Sequence, residues 1–279
     1  MIAEASPYPA AEAAPARAPR PPVPRRRWPR PVGLIIPALL LVAWGLATDV
    51  WHVFQPNQLP PIRQVWAALV QLLGDGDYAR HMSASLARVG LGFALGAGTA
   101  LVVGVLVGLS RGLERLLDPT LQALRSVPSL AWVPFLLLWL GIDEAPKITL
   151  VAIGAFFPVY VNLVTGIRQV DRKLIEVGAI FGLSRVALVR RMFLPAARPF
   201  ALTGLRIGLG QAWLFLVAAE LIASTRGLGF MLIDGQNNLR PDIMVVGILS
   251  LAGLGKLTDG LLRRIERRWL VWTDTYGGM

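Results

Sequence analysis

The residues of this chain that could do chemistry are ionisable side chains set inside apolar runs: Arg88, Arg125, Arg206, Glu220 and Lys256. A charge at membrane depth is costly, so each should face a partner or a water-filled space. Arg206 stands early in one apolar run and Glu220 late in it. At a helical rise of ~1.5 Å per residue they lie about 21 Å apart, too far to pair. Arg88 and Arg206 have a plain reading as side chains that snorkel to opposite interfaces. Glu220 has two readings: it caps a neighbouring helix or pairs with a base, or it shapes an outer gate. Arg125, Asn162 and Gln211 offer hydrogen-bond donors to an anion in transit. With Ser126 and Glu220 they form the candidate substrate pathway. Little other chemistry is on offer. The chain has no Cys, hence no thiolate, disulfide or Cys-based metal site. His52 and His81 sit in different polar segments without ligand spacing, so no metal site is expected. There is no Gly-x-Ser-x-Gly nucleophile elbow. Gly255-Lys256 is followed by Leu257, with Ser250 where a phosphate loop needs its first Gly. No catalytic residue is assigned.

A second constellation lies between two apolar runs. Glu176-Val177-Gly178-Ala179 is followed by Gly182-Leu183-Ser184 and then by Leu194-Pro195. Residues 172–181 and 184–192 each favour helix. Gly182 between them adopts positive φ readily and permits a sharp turn. Ser184 is placed to N-cap the second helix. Pro195 cannot continue that helix, and Pro199 marks the start of the next apolar run. Val186, Leu188, Val189 and Phe193 give the second helix an apolar side, flanked by Arg185, Arg190 and Arg191. Such a helix suits the groove of a soluble partner or an anionic lipid surface.

Composition identifies what must position these residues. The chain is 54% hydrophobic and 16% charged, with a mean hydropathy of +0.56. Soluble domains carry roughly 25% charged residues, so this is an all-α polytopic membrane protein. A span needs about 20 mostly apolar residues. Six segments qualify: 33–51, 84–109, 119–140, 147–167, 200–223 and 243–262. Residues 58–76 form a shorter amphipathic stretch suited to the outer interface. Residues 1–30, rich in Pro, Ala and Arg, read as a disordered cytoplasmic tail before a permease domain over 31–279. Their Pro-broken basic stretch speaks against a cleaved signal peptide.

Charge sets the orientation. The net charge of +11 could suggest nucleic acid, but basic residues accumulate on the cytoplasmic side of a membrane protein. With an inner N-terminus, six alternating spans put 19 of the 28 Lys and Arg inside. Outer segments keep only Arg63, Arg80, Lys147, Arg226 and Arg240. Both termini and the loop 168–199 are then cytoplasmic. The second span carries a small residue at every fourth position, Gly92, Gly96, Ala100, Gly104 and Gly108. That stripe suits close packing within the chain or a homodimer seam. Pro128 and Pro134 should kink the third span, making it a pathway liner or a static bend.

The Glu176–Pro195 spacing resembles the EAA loop of bacterial ABC-importer permeases, with Val177 and Gly178 departing mildly from its Ala residues. From about residue 60 to 272 the chain is similar to the alkanesulfonate, taurine and nitrate branch of those permeases. Gly141-Ile142-Asp143-Glu144, Phe157-Pro158, Gly166-Ile167-Arg168, Gly204-Leu205-Arg206, Ala219-Glu220, Gly227-Leu228-Gly229-Phe230 and Gly255-Lys256-Leu257 carry this. The first and last of these, with Glu266 to Leu270, look most like the alkanesulfonate member. The resemblance implies a type I importer permease in a bacterial inner membrane. It also implies a homodimer, two copies of a separate ATPase that binds ATP and Mg, and a periplasmic binding protein. Glu176, Gly178, Ala179, Gly182, Leu183, Ser184, Leu194 and Pro195 would then couple to the ATPase. The cargo would be a small organic anion, an aliphatic sulfonate first, with taurine or nitrate as alternatives. A proton-driven secondary transporter is the distant alternative. It would need Glu220 or Asp143 to titrate in the path.

Overall fold

In a bilayer core every backbone amide must find its partner within the protein, which leaves helices or closed barrels. The computed structural model describes residues 33–270, and these form helices without strands. The expected tail over 1–30 lies outside the described residues. In chain order the helices are α1 (Ile35–Gly45), α2 (Ile62–Gly74), α3 (Asp77–Leu109), α4 (Arg111–Ser126) and α5 (Val133–Leu140). There follow α6 (Glu144–Arg168), α7 (Arg172–Ile180), α8 (Arg185–Leu188), α9 (Leu194–Ala223), α10 (Leu228–Asn237) and α11 (Pro241–Trp269).

Four stretches are individually long and apolar enough to cross a membrane: α3, α6, 185–223 and α11. The N-terminal apolar segment is a shorter helix, Ile35–Val50. The expected span 119–140 is not one rod. Its two halves, Arg111–Ser126 and Leu130–Leu140, meet at 88°. The cause is Pro128, which lacks an amide and pushes Val127 to extended ψ of 124°. The kink was expected there, but α4 also starts well before residue 119 and carries charge along its length. A fifth span exists only if this bent pair is counted as one.

The small-residue stripe of α3 lies on α6. A Cβ at Gly92 would stand 2.6 Å from Val151, and one at Gly104 2.9 Å from Leu163. At Gly96 it would collide with the Ala152 carbonyl. These pairings run in the same direction, so α3 and α6 are parallel, and the reading of close packing within the chain holds for this stripe. Gly154 against Phe215 and Gly166 against Phe200 make α9 antiparallel to α6. Trp213 Nε1 donates to Thr258 Oγ1 at 3.0 Å, and Arg206 reaches Glu266, so α11 runs antiparallel to α9. Val89, Val151, Ala155, Leu209, Ala212 and Leu216 fill the core between α3, α6 and α9. Helix α11 has only 11% of its apolar window covered by the rest of the chain.

The amphipathic segment is α2. It buries Val65 and Ala68 against Leu228, Met231 and Val246 of α10 and α11, while Trp66, Val70 and Leu73 stay uncovered. All four long helices therefore share two ends. One gathers the loop after α6 and the basic tail of α11. The other gathers the starts of α3 and α6 with the α9–α10 link.

Candidate functional site

The loop end is built by local rules. Asp171 caps α7, its Oδ1 accepting from the Lys173 amide at 2.9 Å. Gly182, at φ 70°, closes the helix: its amide donates to Ala179 and the Leu183 amide to Gly178, at 2.9 and 3.1 Å. That is the paired closure of a Schellman turn, which requires a left-handed residue at this place. Ser184 then caps α8, accepting from the Ala187 amide at 3.3 Å. Gly178 is buried where α7 crosses the following segment, and a Cβ there would stand 2.5 Å from Leu188 and 2.7 Å from Met192. Glu176 is exposed and pairs with Arg172 at 3.2 Å. Ala179 is exposed, and Leu183, Leu194 and Pro195 are half-buried. Ile180, Phe181 and Val186 leave 83%, 79% and 68% of their surface uncovered. Exposed apolar groups of this size among arginines mark an interaction surface.

The expected stop at Pro195 does not occur. A wide helical turn at Val189–Phe193 immediately precedes it, and the chain stays helical from Arg185 to Ala223. Such a turn lets a residue without an amide enter the helix. Pro199 likewise lies inside α9 and does not mark its start.

The opposite end holds a buried ion cluster. Arg88 is 2% exposed. Its Nε and Nη2 donate to both oxygens of Glu144 at 2.6 and 2.7 Å. Its Nη1 donates to Glu220 Oε1 and to the Arg226 carbonyl, each at 2.6 Å. Glu220 also accepts from Ser85 Oγ at 2.8 Å and from the Gly229 amide at 2.7 Å. The Leu228 amide donates to Ser85 Oγ at 2.8 Å. Glu220 thus pairs with a base and caps α10. A side chain at Gly227, whose φ is 131°, would strike its carboxylate. The Gly-Leu-Gly run lets the backbone lie directly on that group.

Snorkelling is therefore wrong for Arg88, while Arg206 stays partly exposed and has partners of its own. Arg88 is enclosed by α6, α9 and the α9–α10 link. Arg206 is paired, at 3.1 Å each, with Asp259 and Glu266 of α11. The pathway candidates do not converge on one site. Arg125 and Ser126 are exposed at the end of α4, where Ser126 bonds the Ala123 carbonyl at 2.7 Å. Asn162 is half-buried on α6 beside Gly204 and donates to the Pro158 carbonyl at 2.8 Å. Gln211 is half-buried on α9. Lys256 is exposed on α11. Sequence reasoning missed Ser85, Asp259 and Glu266 as partners. No group of acidic residues and His that could hold a metal occurs among the described residues.

A chain of parallel and antiparallel apolar helices, with a capped two-helix loop at one end, has the build of a transporter's membrane subunit. Residues 100–271 match the family described as binding-protein-dependent transport system inner membrane component, and the chain belongs to it.

Among its relatives, the putative aliphatic sulfonates transport permease protein SsuC of Bacillus subtilis is 41% identical over 91% of this chain and 92% of its own. The taurine transport system permease protein TauC of Escherichia coli is 38% identical over 88% and 92%. The nitrate import permease protein NrtB of Synechocystis is 30% identical over 82% and 85%. The fold is similar to that in an inward-facing MetNI methionine ABC transporter, at a TM-score of 0.56 and 22% identity, over 72% of this chain and 98% of that one.

Proposed function

We propose that this chain is the permease subunit of an ATP-driven importer that moves a small organic anion, an aliphatic sulfonate first, into the cytoplasm. The observation that carries the reading is the continuity of the loop with a span. One helix of 39 residues runs from Arg185 to Ala223. At ~1.5 Å per residue that is about 58 Å. It joins the exposed Ile180–Phe181–Val186 surface at one end to the Glu220 anchor at the other. A push on the loop therefore reaches the far end as motion of a rod.

In this reading two copies of a separate ATPase, carrying ATP and Mg, sit on the loop end. Glu176, Gly178, Ala179, Gly182, Leu183, Ser184, Leu194 and Pro195 shape or anchor the docking surface. A binding protein delivers the anion at the opposite end, and a second copy of the chain completes the pore. The loop end and both termini are cytoplasmic. This agrees with the basic residues at that end, among them Arg111, Arg168, Arg190 and Arg267. Arg125, Ser126, Asn162 and Gln211 are pathway residues, and Glu220 acts by holding the outer end. The relatives named for sulfonate, taurine and nitrate support a small anion.

The test is sulfonate uptake and ATP hydrolysis in liposomes holding this chain with its ATPase and binding protein. Import by the wild type, and loss of assembly or coupling in a Glu176→Lys variant that still inserts, are expected. Uptake that persists without the ATPase refutes the reading.

A further inference from the structure

Beside the ion cluster lies a cleft of about 800 Å³ between the α5–α6 turn and the α9–α10 link. Two cations border it, Lys147 and Arg226. The Lys147 side chain is 6% exposed, and its one ionic contact is with Glu144 Oε1 at 3.8 Å. It donates no hydrogen bond among the described residues. Arg226 Nη2 lies 3.8 Å from the same oxygen. That oxygen already accepts from Arg88 Nη2 at 2.7 Å. The Lys147 ammonium has three protons to place, and its nitrogen is reached from the cleft, since among the described residues no wholly buried side-chain nitrogen lacks a partner. Here the nearest carboxylate is held by another base, and the cleft is the open side.

The surroundings favour an acceptor that carries its own charge. Helix α6 begins at the cleft, and Asp143 makes no side-chain cap there, so the positive end of that helix adds to the two cations. Two opposing charges stand on the wall, Glu144, 3.8 Å from both cations, and Asp143. Asp143 is exposed to solvent and bonds neither Lys147 nor Arg226. The Thr225 hydroxyl borders the same space. The lining also has an apolar part, Leu140, Ile142 and Ile222, the last two uncovered over 76% and 57% of their surface.

We propose that this cleft binds an oxyanion with a short apolar tail, the head on Lys147 and Arg226 and the tail against Leu140, Ile142 and Ile222. The proposal rests on the importer reading for its purpose, as a reception site at the end of the spans away from the loop. Its chemistry fits an alkyl sulfonate and equally the headgroup of an anionic phospholipid.

The experiment uses the chain with its ATPase in phosphatidylcholine nanodiscs, without binding protein, and radiolabelled butanesulfonate as probe. Saturable binding is expected. Lys147→Met should weaken it about tenfold or more, since a charged hydrogen bond is lost. Lys147→Arg should stay within about threefold. Arg226→Gln, at an exposed position where folding is not at stake, should weaken it too. A parallel arm adds phosphatidylglycerol. If that lipid displaces the probe in the wild type but loses its effect in Lys147→Met, the site stands and its occupant is the lipid. Absence of saturable probe binding together with no Lys147-dependent lipid effect overturns the site. So does wild-type affinity in both Lys147→Met and Arg226→Gln. Uptake in the full system is scored separately. Import with an unaffected Lys147→Met sinks the site and spares the importer reading. Lys147-dependent binding without import does the reverse.

Discussion

Replacing Arg88 by Met keeps the apolar stem and removes four donated hydrogen bonds, two to Glu144, one to Glu220 and one to the Arg226 carbonyl. The Glu220 side chain is 0% exposed, whereas that of Glu144 is 39% exposed. Water can reach Glu144, so its loss contributes about 1 kcal/mol or less. Glu220 has no such recourse, and stranding one member of a buried pair costs about 3–5 kcal/mol. The expected loss for Arg88→Met is therefore about 3–5 kcal/mol, most of it from Glu220. Adding Glu220→Gln removes the stranded charge. The double variant should then be more stable than the sum of the two single losses by about 1–3 kcal/mol. Reversible unfolding in lipid bicelles, followed by the fluorescence of the nine tryptophans, measures all four proteins. A single-variant loss below about 1 kcal/mol, or strict additivity, would refute the pairing argument.

Ile180→Ser with Phe181→Ser should leave stability unchanged, because both side chains are uncovered, yet weaken ATPase binding about tenfold or more in a pull-down titration. Gly182→Val forces a β-branched residue to φ 70° and should cost about 1–3 kcal/mol locally, read as faster proteolysis of the loop with the spans intact. Gly96→Leu, on the Ala152 carbonyl, should abolish the folded fraction in detergent, whereas Gly98→Leu, with nothing within 4 Å, should be tolerated. Trp213→Phe should lose about 1 kcal/mol with its bond to Thr258.

Much of the loop was legible because it is made by local chemistry. Gly182 and Ser184 act on amides a few residues away, and such short-range patterns survive in sequence. The small-residue stripe on α3 was legible for the same reason, although its partner helix was not. What escaped were pairings across long stretches of chain. Arg88 and Glu220 are 132 residues apart. Their depths held the signal: with alternating spans, Arg88 is early in one and Glu220 late in another, so both fall at the same end. Treating each charge alone led instead to snorkelling. The third span was legible as a segment with a kink at Pro128, but its start was not, and a proline alone does not say that the axis turns by 88° there. Pro195 failed in the opposite sense, because a wide turn absorbed it.

The α3–α6 contact also says which parts of the molecule are able to move. Its seam has backbone on one side where Gly96 meets Ala152, while the side chains of Val151, Leu163 and Ile167 press on Gly92, Gly104 and Gly108. Sliding α3 by one residue would bring Leu95 or Ala97 to the level of that carbonyl. A slide of four residues, about 6 Å, restores a glycine there in one direction only, with Gly92, since the other brings Ala100. These two helices therefore travel together as one piece. Any change of shape must be taken up at joints of other kinds, and the elbow at Val127–Pro128 is the clearest of them.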